Sequence, residues 1–181
     1  LVLAGDVTSS DNMLGPVDAF FEEVSKEFPV VLYVMGNHEH YHGDFQKTKN
    51  KLLQFLQPYT NIILLDNDHV ELDGVTFFGG TMWTDLKSRD PYVVDVVAGT
   101  MNDFNYIKNG DRKFVPKDTL VEHDKTLAAL KACLANTKDK MVVVTHHTPS
   151  AKSSHERFVG DPTNWAYYTE LDEMILDNPQ I

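Results

Sequence analysis

The chain has 181 residues, 42% of them hydrophobic and 24% charged, and a formal net charge of −11. Length and composition fit one globular domain with a sizeable core, and the acidic balance disfavours a broad nucleic-acid surface, because phosphate backbones are held largely by Lys and Arg. It does not exclude a phosphate substrate held through divalent ions. The single cysteine, Cys133, excludes an intrachain disulfide and a thiolate metal cluster, and no apolar run reaches the roughly 18 residues of a membrane span. A lone thiol fits a reducing cytoplasm, the compartment expected. Leu1 already stands inside an apolar run and Ile181 ends on no closing element, so the sequence reads as an internal piece of a longer domain.

Leu1-Val2-Leu3-Ala4 is an apolar run ended by Gly5-Asp6, which predicts a buried strand. A polar stretch leads to Gly15-Pro16, with Pro16 suited to a first helical turn, and Val17, Phe20, Phe21, Val24 and Phe28 follow at helical spacing. Val30 to Met35 is a second buried strand, closed by Gly36-Asn37-His38-Glu39; strand, helix and strand predict a right-handed β-α-β unit. Asp44 can cap a second helix carrying Leu52, Leu53 and Leu56, stopping before Pro58. Asn61 to Leu65, Val70 to Leu72 and Val75 to Phe78 are short strands, the last two joined by the hairpin dipeptide Asp73-Gly74. From Thr81 to about Val115 the chain is rich in Asp, Asn, Gly and aromatics, and a long irregular loop flanking a site is expected. Pro116 to Asn136 predicts an amphipathic helix with Leu120, His123, Leu127, Leu130 and Leu134 on one stripe. Met141 to Val144 is a third buried strand, followed by a polar loop from Ser150 to Thr163 and a helix from Tyr168 to Leu176. No repeat or linker divides the chain, so residues 1–181 are read as a single domain.

Three buried strands therefore end in ligand-type side chains: Asp6, then Asn37 and His38, then His146 and His147. Carboxylate, amide oxygen and imidazole are all competent ligands for borderline divalent ions. Ligands in open α/β sheets bind outside the carboxyl ends of the strands. The pattern points to one metal site assembled from distant parts of the chain.

Gly5-Asp6, Gly36-Asn37-His38-Glu39 and Thr145-His146-His147-Thr148-Pro149, in that order and spacing, resemble the calcineurin-like metallophosphoesterase superfamily. The resemblance implies a four-layer α/β/β/α sandwich of two mixed sheets, incomplete at both ends, with a dinuclear metal site at the strand tips. It implies hydrolysis of phosphomonoesters or phosphodiesters through a metal-bridging hydroxide, with two divalent ions of Mn, Fe or Zn as cofactors. By the same resemblance Asp6 bridges the two ions, Asn37 and His146 bind the second, and His38 contacts the substrate phosphate and helps protonate the leaving group. Two family motifs, an opening Asp-x-His and a closing Gly-His-x-His, do not occur in this sequence. Most ligands of the first metal are thus missing, and low activity is expected of this stretch alone.

A small phosphoester is the expected substrate, with no extended nucleic acid and no membrane as partner. Mono- and diesterase activity stay open, because the fold serves many specificities. Two other readings compete. One is a non-catalytic scaffold on the same fold, although a scaffold needs none of Asp6, Asn37, His38 and His146. The other takes His38-Glu39-His40-Tyr41-His42 as a metallo-β-lactamase-type motif, but the Asp-His pair is missing from its place and Asn37 and Asp6 go unexplained. A serine hydrolase is set aside, since neither Ser150 nor Ser154 sits in a nucleophile elbow. Among the remaining residues, His40 and His42 read as outer or exposed groups, and His147 competes with His146 for the ligand position. His123 reads as a packing histidine, and Trp83 and Asp103 as possible substrate contacts on the loop. Glu39 either orients His38 or a backbone amide, or caps the next turn.

Overall fold

The computed structural model describes residues 1–13 and 16–181; Gly15, part of the expected lead into the first helix, lies outside them. The elements in chain order are β1 (Val2–Ala4), α1 (Pro16–Glu27), β2 (Val31–Val34), α2 (Phe45–Leu56), β3 (Ile62–Leu65), β4 (Asp68–Leu72), β5 (Val75–Gly80), α3 (Leu86–Arg89), α4 (Pro91–Thr100), α5 (Asp103–Tyr106), β6 (Lys108–Asn109), β7 (Arg112–Lys113), α6 (Pro116–Asn136), β8 (Met141–Thr145) and α7 (Asp172–Leu176).

Side-chain alternation along β2 builds the layers. Val31, Tyr33 and Met35 pack with Phe21 and Val24 of α1 and Leu52 and Leu56 of α2. Leu32 and Val34 face the other way, onto Leu65, Val144 and Phe77. Strand β2 is buried at all its positions, which is why it reads as a continuous apolar run. Parallel strands β1, β2 and β3 form one sheet in that order. Strands β4, β5 and β8 form the other, with β4–β5 antiparallel and β5–β8 parallel. On the far face of this second sheet, Phe78, Met141 and Val143 pack against Leu130, Cys133 and Leu134 of α6. Helices, sheet, sheet and helix thus stack as the expected α/β/β/α sandwich. Each fully buried Phe or Leu at these layer contacts contributes about 1.5–3 kcal/mol. Phe20 and Phe28, on the expected stripe of α1, are more than a third exposed; Phe21 and Val24 carry the packing.

The β4–β5 hairpin turns at Asp73-Gly74, both with positive φ (50° and 75°), as a two-residue loop between twisted strands requires. Asp44 caps α2 by accepting the Gln46 backbone N–H.

The stretch from Thr81 to Val115 departs from the expected irregular loop: it is a small folded layer containing α3, α4, α5 and the β6–β7 ladder. Asp90 caps α4 by accepting the N–H groups of Tyr92 and Val93, and Pro91 occupies its first turn. Val93 and Val97, one turn apart, enter an aromatic core of Trp83, Phe104 and Phe114. Leu86, Lys87, Ser88 and Arg89 of α3 all have φ between 50° and 66°, a left-handed turn of non-glycine residues. Burial of Leu86 and the Arg89–Asp124 ion pair to α6 at 2.6 Å hold that turn. The final helix is also shorter than expected. Tyr168 is drawn into a bridge with Thr148, so α7 starts at Asp172.

Candidate metal and phosphoester site

Parallel pairing of β1 with β2 brings Asp6 and Asn37 to the same sheet end, and β8 of the second sheet delivers His146 beside them. The glycines make this approach possible. A Cβ on Gly36 would fall on the Asp6 carboxylate, and one on Gly5 (φ 91°) would meet the His146 ring and the Gly36 backbone. Asp6 itself holds φ 58°, the left-handed region that most residues avoid.

The Nδ1 of His146 lies 2.9 Å from the carbonyl oxygen of Ala4. That oxygen can only accept, so Nδ1 carries the proton and the neutral ring presents a lone pair at Nε2. The Nε2 atom stands 3.0 Å from Asn37 Oδ1 and 3.4 Å from Asp6 Oδ1. Three acceptors therefore face one point, an arrangement that favours a cation at the centre. A ligating histidine typically donates its other N–H to a carbonyl, as here. Asp6, Asn37 and His146 thus fit a divalent ion as an O,O,N set. Among the described residues no group of three or more His, Cys, Asp or Glu gathers to hold a metal; the third donor of this set is an amide. His38 Nδ1 sits 3.5 Å from the other Asp6 oxygen, Oδ2, on a half-exposed ring stacked beside Tyr41.

Two carboxylates behind these residues set their orientation. Glu39 is fully buried, and its oxygens accept the backbone N–H groups of Asp6 (3.0 Å), Val7 (2.7 Å) and Gly36 (2.6 Å) and the Tyr33 hydroxyl (2.7 Å). Burial, with the Glu39 charge beside it, pushes the Tyr33 hydroxyl's pKa up, so the phenol stays a donor. Asp103, from the layer read as a loop, is buried and accepts from Asn37 Nδ2 at 2.8 Å. That bond turns the amide so that Oδ1 faces His146. Burial also raises the carboxyl pKa of Asp103. The sequence alone offers Asp103 only as a substrate contact on the loop; its burial among aromatics carries no local sequence signal.

His147 borders the cleft above the tips, while His40, His42 and His123 pack elsewhere. His147 is buried with Nδ1 3.4 Å from the Thr81 carbonyl and its ring beside Trp83. His40 is buried and stacks on Phe45. His42 lies against Tyr106, and His123 bonds the Trp83 carbonyl at 2.5 Å in the core. His69 and His155 lie elsewhere. Trp83 belongs to the aromatic core. Above the converging tips opens a cleft of about 520 Å³, walled by Asp6, Asn37, His38, Tyr41, His146, Thr148 and Tyr167, with Thr100 to Asn102 along one edge.

The sandwich and the three strand tips are those of a metallophosphoesterase-type fold, and the chain belongs to the calcineurin-like phosphoesterase family, whose model matches residues 1–177. It is 26% identical over 197 residues to an uncharacterized protein of Acanthamoeba polyphaga mimivirus, covering 100% of this chain and 68% of that one. In fold it is similar to the crystal structure of phosphopantetheinyl hydrolase from Mycobacterium tuberculosis, with a TM-score of 0.67 and 14% identity over 94% of this chain. The chain spans 65% of the length of that structure. Among the described residues no helix is long and apolar enough to cross a membrane.

Proposed function

We propose that the chain carries the site of a metal-dependent phosphoesterase that acts on small phosphomonoesters or phosphodiesters. One observation carries the reading: lone pairs of Asp6, Asn37 and His146 converge from two sheets, with His38 beside them at the mouth of an open cleft. In this reading Asp6, Asn37 and His146 would hold one divalent ion of Mn, Fe or Zn. A second ion would need Asp6 together with ligands from outside this set. Bound metal would polarise phosphoryl oxygens and activate water as the nucleophile. His38, half-exposed and against Asp6 Oδ2, reaches into the cleft, where an imidazolium offsets charge on the phosphoryl group and gives its proton to the leaving oxygen. Glu39 keeps the Asp6 turn in place, and Asp103 keeps the Asn37 oxygen directed at the ion. Residence in the cytoplasm, with no membrane partner, is part of the same reading.

A second reading is a calcineurin-like domain that binds but does not turn over. It is favoured by the small donor set: two of the four residues at the tips are Asn and a half-exposed His, and among the described residues no three acidic, His or Cys side chains gather. The full-length protein decides between them. Loaded with Mn, it is assayed on an aryl phosphodiester and an aryl phosphomonoester beside Asp6→Asn and His38→Ala. Turnover that falls at least a hundredfold in both variants supports hydrolysis. Metal binding without turnover in the unmodified protein supports the second reading.

A further inference from the structure

Beside the cleft over the strand tips lies a second cleft of about 390 Å³, within the roughly 300–1,000 Å³ of small-molecule sites. Thr148 and Tyr167 line both, so the two clefts share a wall. The junction is fixed by backbone bonds: Thr148 N–H donates to the Tyr167 carbonyl at 2.9 Å, and Thr169 N–H to the Thr148 carbonyl at 3.0 Å. Thr148 follows His146 by two residues, so the wall between the two clefts is carried by the same loop as the candidate metal ligand.

The lining is aromatic with a particular hydrogen-bonding sense. Phe158 is 37% exposed and Tyr167 53% exposed, while Tyr168 is buried against Trp165, with ring centroids 4.6 Å apart. These exposed rings on a short polar segment bury no core; the Arg157 guanidinium lies over Phe158, 4.4 Å from its centroid, and Phe158 and Tyr167 both line the cleft. His155 Nδ1 accepts the Arg157 backbone N–H at 3.2 Å, so the neutral ring carries its proton on Nε2. Asn164 Oδ1 accepts the Ser154 hydroxyl at 2.9 Å, which leaves the amide N–H groups as its free function. The side chains that anchor this segment thus present donors beside aromatic faces.

We propose that this cleft receives the base of a nucleoside phosphoester: a planar heteroaromatic ring that bears acceptors, stacking on Phe158 and Tyr167 while its phosphate lies over Asp6 and His146. A plain aryl group would leave the donors of His155 and Asn164 unpaired on burial, and an alkyl chain would use neither face nor donor. Base-on-aromatic stacking also tolerates different bases. The inference rests on the proposed phosphoester site for the position of the phosphate, but not for the position of the ring.

The test therefore uses a probe with no phosphate. Adenosine is titrated calorimetrically into the full-length protein in EDTA, beside ribose, phenol and the variants Phe158→Ala and Phe158→Tyr. Adenosine is expected to bind where ribose and phenol do not. Its affinity is expected to fall about tenfold in Phe158→Ala and to return in Phe158→Tyr. No adenosine binding, or equal affinity in Phe158→Ala, overturns the proposal. In turnover by the Mn-loaded protein, the kcat/KM ratio of adenosine 5′-phosphate to glycerol 2-phosphate is expected to exceed one and to drop about tenfold in Phe158→Ala. Equal turnover of both esters overturns the base cleft and leaves the phosphoesterase reading standing. Adenosine binding without turnover of either ester does the reverse.

Discussion

The Oε2 atom of Glu39 lies 3.0 Å from the backbone nitrogen of Asp6. The same carboxylate takes the N–H groups of Val7 and Gly36, so one buried anion gathers the turns after β1 and β2. It acts on Asp6 through the main chain and leaves both Asp6 side-chain oxygens to His38 and His146. Glu39→Gln places an amide nitrogen against backbone donors that it cannot satisfy. We expect a stability loss of roughly 2–4 kcal/mol, read as a lower urea midpoint at unchanged slope, together with weaker Mn binding.

Asp103 gives a separable effect. Its carboxylate only orients the Asn37 amide, so Asp103→Leu frees the amide to turn its nitrogen toward His146. Mn affinity is expected to fall about 10–100-fold, by titration calorimetry. A variant with unaltered affinity would remove Asp103 from the site.

Gly36→Ala tests the close approach of the two strand tips. The new Cβ meets the Asp6 carboxylate and the Asp6 backbone nitrogen, so either the carboxylate swings away or β2 shifts. Loss of Mn binding with near-native circular dichroism is the expected result.

Acid sensitivity follows from His40. Burial holds its imidazole down at about 3, against about 6.5 in the unfolded chain. Below pH 6.5 the unfolded chain takes up a proton that the native chain refuses until about pH 3. Stability present above pH 6.5 is therefore lost as pH falls through that window, by up to about 1.4 kcal/mol per pH unit. His147, also held at about 3 by burial and by the neighbouring His146, adds in the same sense. Urea midpoints at pH 7, 6 and 5 should fall progressively, and His40→Leu should flatten the fall.

The strands that carry the site were legible because each is an apolar run cut off by glycine or by a ligand-type residue, and no packing need explains Asn37 or His146 there. The layer between Thr81 and Val115 was not. Val93, Val94, Val96 and Val97 are β-branched residues with weak helix propensity, and tertiary burial of Val93 and Val97 overrides it. The one local signal for this helix is Asp90-Pro91, a capping residue followed by a proline suited to the first turn, and in the sequence it is outweighed by the weak propensities that follow. The turn at Leu86 to Arg89 has no such signal, since four non-glycine residues give no hint of positive φ. Asp103 was hidden because its partner Asn37 lies 66 residues away, whereas Glu39 was legible as orienting a backbone amide: Gly36 stands three residues before it, and only the reach to Asp6, 33 residues away, was out of local view.

The bond between the His146 ring and the Ala4 carbonyl closes a span of 142 residues between the two sheets. A pocket with one donor beyond β8 and two beyond β1 and β2 does not exist until the sheets have docked. An ion held there acts as a clasp on the finished sandwich and has no purchase on the chain while it assembles. Added Mn should therefore slow unfolding in proportion to its occupancy and leave the refolding rate unchanged.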